Sequence, residues 1–179
     1  MNDRTSQQSI VCQAEGPYPP VQAEGKNLLY ARAMLDNQSG SDSEMSAVSL
    51  YFYNHLITFE DQEAALVFHK ISIVEMHHLE IFGTLALQMG ENPRLWTQGA
   101  NRKVYWTPAY NRYPVQMEQL LYHSILQEQR AVEKYQSQLK WISDCNVQDN
   151  LKRIIQDEQL HVEILTKLYQ ARQGCGQMK

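Results

Sequence analysis

The chain has 179 residues, with 16 basic and 20 acidic side chains and a formal net charge of −4. That is enough for one domain with its own core, and the near-balanced charge, without a basic stripe, excludes nucleic acid and an anionic membrane surface as expected partners. No run of ~18 apolar residues is present to span a bilayer, and the opening MNDRTSQQSI has no apolar signal core. Three scattered cysteines, Cys12, Cys145 and Cys175, form no C-x-x-C pair for a zinc ribbon or a rubredoxin-type iron site. A reduced, cytoplasmic protein is expected.

In chain order, residues 1–25, with Pro17, Pro19 and Pro20, read as an extended arm, and 27–35 as a short amphipathic helix. The arm has a partner to wrap, either the bundle that follows or another molecule. Apolar residues then recur at helical spacing in four long stretches. The first covers 41–57, with Glu44, Val48, Tyr51 and His55 along one side. The second covers 61–89 and stops at Gly90 and Pro93. A crossover over 91–113 carries Trp96, Tyr105, Trp106, Tyr110 and Tyr113; packing over the helices is its first expected role and a dimer contact its second. The third helix is expected from Pro114, a residue suited to a first helical turn, to 142, and the fourth over 147–172 with a stop at Gly174. No strand alternation is legible. The predicted fold class is all-α, divided into arm and short helix (1–40), bundle (41–173) and tail (174–179).

The most informative feature is a repeat. Glu44-x-x-Ala47-Val48-x-x-Tyr51 returns 84 residues later as Glu128-x-x-Ala131-Val132-x-x-Tyr135. Glu75-x-x-His78-x-Glu80-Ile81 returns 83 residues later as Glu158-x-x-His161-x-Glu163-Ile164. In an antiparallel hairpin, residues at one level have indices with a constant sum. Glu44 and Glu75 are centred on the first turn, and Glu128 and Glu158 on the second, so all four sit ~20 Å from a turn at ~1.5 Å per residue. Within Glu-x-x-His, three residues turn the helix by ~300°, which puts both side chains on one face. Four buried carboxylates facing one another are prohibitive as a bare core. Two divalent cations would offset their charge, with two neutral imidazoles completing the shell. One lone Glu and one Glu-x-x-His per half make the ligand set of a dinuclear site in a four-helix bundle. Glu44, Glu75, His78, Glu128, Glu158 and His161 are the candidate metal ligands.

These motifs resemble the ferritin-like di-metal superfamily, whose members include bacterioferritin, rubrerythrin and manganese catalase. The resemblance spans 41–168 and implies a bundle with one long crossover between its second and third helices. It further implies that Glu44 and Glu128 are terminal ligands, that Glu75 and Glu158 bridge, and that His78 and His161 bind one metal each. Tyr51 and Tyr135, seven residues past the lone glutamates, would hydrogen-bond ligands or take part in redox steps. Where rubrerythrins carry an extra Glu, this chain has Ala131. A rubredoxin tail and a fifth cage-type helix are also missing from the sequence as read, which points away from a storage cage and makes any electron donor an external one.

The implied function is a di-metal oxidoreductase, with two iron or two manganese ions, acting on hydrogen peroxide or dioxygen. Manganese catalase is the nearest alternative, and an iron-binding, storage or coat-type structural protein a different class. An oxygen-rich shell with two imidazoles suits iron and manganese alike, and a homodimer is the expected assembly. Other features have plainer readings. Ser41-x-x-Glu44 is also a capping box. Glu80 and Glu163 lie ~140° around the helix from the ligand glutamates and are expected in solvent. His69, His77 and His123 fall off the ligand face, while His55 falls near it, ~16 Å along the axis from Glu44, where it would close the bundle end or line an access path.

Overall fold

The computed structural model describes residues 10–100 and 102–175. Residues 1–9 of the arm and 176–179 of the tail lie outside the described residues. Five helices are present among those described: α1 (Leu28–Ser39), α2 (Glu44–Ile57), α3 (Gln62–Gln88), α4 (Met117–Gln138) and α5 (Cys145–Cys175). Helices α2 and α3 form one antiparallel hairpin, α4 and α5 the other, and α3 packs on α5. The crossover between α3 and α4 is the long connection, so the topology is the ferritin-like bundle expected from the repeat.

Local chemistry sets the helix ends. Asp61 caps α3 by accepting from the Ala64 amide at 3.0 Å, and its carboxylate is gripped by Arg172 of α5 at 2.7 Å. At the far end of α3, Gly90 takes φ +109°, a left-handed turn that suits glycine. The helix expected from residue 41 begins at Glu44, because Ser43 is the cap and accepts from the Ser46 amide; Ser41 instead turns to Asp42. The Ser41–Glu44 capping box is therefore not formed. Pro114 does not open α4: the backbone is still extended at Gln116, and the helix runs from Met117 to Gln138. Beyond it, residues 139–142 tighten into a turn whose Ile142 is buried in the core. Asp144 then caps α5 through the Val147 amide at 3.0 Å, two residues earlier than expected. Helix α5 continues past Gly174 to Cys175.

The absence of strands is also corrected. The crossover holds an antiparallel ribbon, β1 (Trp96–Gln98) with β2 (Lys103–Tyr105). It satisfies backbone groups in a connection that runs across the bundle, and Trp96 is its anchor. Its indole is 1% exposed, its N–H donates to the Asn92 carbonyl at 2.8 Å, and Lys103 stands over the ring. The crossover aromatics thus pack on the helices: the Trp106 indole donates to Ser46, and Tyr113 meets Tyr53 edge to face.

Two apolar clusters occupy the bundle. One joins Ala31, Met34 and Leu35 of α1 to Phe82, Leu85, Tyr135, Leu151 and Ile154. The other joins Tyr51, Phe68, Ile71, Leu121 and Leu165. Helix α1 seals its cluster closely enough that a Cβ on Gly83 would sit 2.9 Å from the Gln38 amide. It is tied to α4 by a reciprocal amide pair: Asn37 donates to Gln138 and Gln138 to Asn37, each at 2.7 Å and both buried. Replacing Gln138 by Leu leaves the Asn37 amide buried and unpaired, with an expected loss of about 1–3 kcal/mol. The double variant Asn37→Leu/Gln138→Leu should recover part of it. Chemical denaturation of the four proteins in this cycle measures the coupling, and strictly additive losses would refute it.

Candidate metal centre

Between the two apolar clusters lies a fully buried polar layer. Each hairpin contributes a lone Glu from its first helix and a Glu-x-x-His from its second, and the antiparallel register brings them to one height. Glu75, His78, Glu158 and His161 are 0% exposed, Glu44 and Glu128 2%. Donor atoms converge in two quartets, each with its atoms within 4.8 Å of one another: Glu44, Glu75, His78 and Glu158 in one, Glu75, Glu128, Glu158 and His161 in the other. Glu75 and Glu158 belong to both. The imidazole rings are 6.4 Å apart between centroids. All six candidate ligands therefore meet, and Glu80 and Glu163 point away into solvent.

The tyrosines cross between the hairpins. The Tyr51 hydroxyl donates to Glu128, and the Tyr135 hydroxyl to Glu44. Each lone glutamate is thus oriented by the tyrosine of the opposite repeat. Burial, with the facing carboxylate next, pushes both phenols well above their ordinary range, so they remain donors.

Burial, reinforced by the charges on Glu158 and Glu75, pushes Glu44 and Glu128 well above the usual carboxylate range. Burial also acts on Glu75, but contacts with the two histidines outweigh it; on Glu158 burial and the Glu75 charge are outweighed by contacts with Glu128 and the two histidines, so both lie below that range. Burial opposes charge on His78 and His161, yet the surrounding carboxylates raise both well above the ordinary imidazole value. Glu44, Glu128, His78 and His161 thus all hold protons more tightly than the same groups do in water.

Protons do not settle the geometry. Glu75 Oε1, both Glu158 carboxylate oxygens and His161 Nδ1 are buried with no aligned hydrogen-bond partner among the described residues. His161 Nδ1 lies 2.9 Å from Glu75 Oε1 and 3.4 Å from Glu158 Oε2, close enough for an ion pair but out of line for a hydrogen bond. Meanwhile His161 Nε2 faces the Cys12 carbonyl at 2.8 Å, the position of an N–H donor. In the neutral tautomer that this contact favours, with the proton on Nε2, the Nδ1 lone pair would point at carboxylate oxygens. A cation among them resolves that conflict, so the donor set fits a metal pair.

His78 has the same arrangement with different partners. Its Nδ1 faces Glu158 at 3.1 Å and Glu75 at 3.3 Å, and its Nε2 faces Asp157 at 3.1 Å. Asp157 is fully buried, receives the Ala14 amide and the Tyr18 hydroxyl at 2.7 Å each, and pairs ionically with Arg153 at 2.7 Å. Together with His78 these contacts outweigh burial and draw its carboxyl down to about 2. Sequence reading missed Asp157, Arg153, Tyr18 and the Cys12 carbonyl. Arg153-x-x-x-Asp157 directly before Glu158 was a legible signal; a backbone carbonyl has none.

The remaining histidines take structural places. His55 Nδ1 meets the Ala65 carbonyl near the turn of the first hairpin, with the His69 ring at 4.9 Å, and His77 packs on Tyr18. His123 lines a surface hollow of about 250 Å3 with Arg112 and Arg130. Asp42 and Gln127 belong both to that hollow and to a cavity of about 10 Å3 reaching Glu44, Glu75, Glu128 and Glu158. That volume is room for a single water-sized molecule. Ala131 forms part of its wall.

No protein-family model matches the chain, and no curated protein matches it. Among solved structures, KatB, a manganese catalase from Anabaena PCC7120, aligns with a TM-score of 0.78 at 20% identity, over 90% of this chain and 80% of its own. A structure of wild-type KatB from Anabaena gives 0.78 and 20% over 89% and 79%. The shared fold is the ferritin-like helical bundle.

Two divalent ions (+4) would offset four carboxylates (−4) and displace the protons these groups hold. Titrating metal-free protein with Mn(II) should therefore release protons, read with an indicator dye. A sign follows for stability. Glu44, Glu128, His78 and His161 bind protons more tightly folded than unfolded, so their contribution to the metal-free protein is lost as pH rises through their raised folded values. Their ordinary values are 4.5 for Glu and 6.5 for His. The melting-temperature increment from Mn(II) should accordingly grow from pH 5 to pH 8, and an increment independent of pH would refute the exchange.

Proposed function

We propose that this chain is a dinuclear-metal oxidoreductase that holds two manganese ions and disproportionates hydrogen peroxide to water and dioxygen. The observation that carries this reading is the pair of overlapping quartets sharing Glu75 and Glu158. Glu44 and His78 would complete one metal position, and Glu128 and His161 the other, with Glu75 and Glu158 bridging. The fold shared with a manganese catalase supports manganese over iron and peroxide over dioxygen.

When bound, the metal pair supplies a two-electron redox couple, which lets one peroxide be reduced and a second be oxidised without another donor. The chain does the rest. Tyr51 and Tyr135 fix the outer carboxylates, so ligand orientation is set before substrate arrives. The apolar clusters on either side exclude bulk water, leaving the narrow cavity as the described approach. Ala131 keeps that approach open where a longer side chain would fill it. Glu44 and Glu128, whose proton affinity burial raises in the metal-free protein, border the cavity.

Protein purified without added metal, analysed for iron and manganese and then loaded with Mn(II), should evolve one O2 per two H2O2 with no reductant present. Glu75→Ala and Glu158→Ala should lose metal stoichiometry, while Glu80→Ala and Glu163→Ala bind as wild type. Tyr51→Phe and Tyr135→Phe should retain metal and lose roughly 10–100-fold in turnover or affinity, as for other groups that orient ligands. Iron in the purified protein, with peroxide removal only when a reductant is added, would replace this reading by a di-iron peroxidase.

A further inference from the structure

We propose that residues 10–18 form a strap whose docking is coupled to occupancy of the metal centre, so that metal binding fastens the arm and the docked arm tightens the metal. The inference rests on the dinuclear reading above. Three alternate carbonyls of the arm face the bundle. Ile10 accepts from Lys70 at 2.6 Å, Cys12 faces His161 Nε2 at 2.8 Å, and Ala14 accepts from Arg153 at 2.7 Å. Lys70 and Arg153 are equivalent positions of the two repeats, each eight residues before its histidine. They flank the strap like two clips, with a histidine contact between them.

The strap reaches the second histidine through Asp157. The Ala14 amide and Tyr18 hydroxyl hold that carboxylate, which in turn faces His78 Nε2. Arg153 lies 4.3 Å over the Tyr18 ring and closes the network. One short segment thus sets the outward nitrogen of both histidines. A ligand histidine whose outward N–H is held keeps its other nitrogen aimed at the metal, and losing such partners typically costs ~10–100-fold in affinity. Linkage makes the effect reciprocal: what the strap adds to metal affinity, the metal adds to strap docking. The Cys12 carbonyl and Asp157 are not interchangeable partners, so the two metal positions differ in the donor strength of their imidazoles.

The test uses the full-length chain with MnCl2 as probe. Hydrogen exchange of the peptide covering residues 10–18 should slow at least ~10-fold on Mn(II) loading. Lys70→Met, which removes the ammonium that holds the Ile10 carbonyl, should weaken Mn(II) binding ~10-fold by calorimetry and by the free-Mn(II) EPR signal. The direction is decisive, because removing a nearby positive charge would by field alone tighten a divalent cation. Tyr18→Phe should weaken it similarly. Wild-type binding with exchange unchanged at the strap, or Lys70→Met binding as tightly as wild type, overturns the coupling and leaves the metal centre standing. Coupled binding without oxygen evolution overturns the catalase reading alone. Failure of the wild-type protein to take up Mn(II) overturns both.

Discussion

Carboxylates do not bury themselves. Moving an ionised side chain into a helix bundle costs several kcal/mol after all relaxation, and four in one layer multiply the cost through mutual repulsion. Everything around Glu44, Glu75, Glu128 and Glu158 is organised by that penalty. Two histidines project into the layer to supply compensating charge or metal ligation. Two tyrosines donate into it from apolar clusters that contain no other obvious reason for a phenol. The same clusters bear the folding energy that the polar layer does not supply: Phe68, Ile71, Phe82 and Leu85 are all buried on α3 alone. The helix that contributes most to the core thus also carries one of the two glutamates shared by both quartets, and one histidine.

The crosswise tyrosines have a mechanical effect that either hairpin alone would lack. Because Tyr51 holds Glu128 and Tyr135 holds Glu44, neither hairpin can shift along the other without breaking a buried hydrogen bond. Register in a helical bundle is otherwise set by apolar packing, which tolerates exchange of similar side chains. The polar layer supplies the specificity and the apolar clusters the stability.

Much of this was legible in the sequence because helices and carboxylates leave periodic signatures. The repeated Glu and Glu-x-x-His fixed which faces turn inward, and the index sums of 44 with 75 and 128 with 158 placed them at one height. Helix ends were less legible. Ser43 rather than Ser41 caps α2, and Pro114, though suited to a first turn, remains in the crossover; the choice in each case depends on what the flanking chain packs against. The ribbon around Trp96 escaped notice because strands of three residues are too short to show alternation. The outward partners of the histidines were hidden for another reason. Asp157 reads as one more acidic residue on a polar helix until the arm is seen to cover it, and the Cys12 carbonyl is the same atom in any residue.

The two halves depart from each other at one telling place. Asp157 precedes Glu158, but the equivalent residue of the first half, before Glu75, is Val74. Two identical hairpins associating about a two-fold axis would already contain every repeated ligand and both crosswise tyrosines. They would be obliged, however, to back both histidines in the same way. Joining the hairpins in one chain removes that obligation, and an arm that exists once, not twice, can touch the two sides differently. Covalent fusion here means freedom from symmetry: each half can diverge around a shared polar layer without an identical change being imposed on the other.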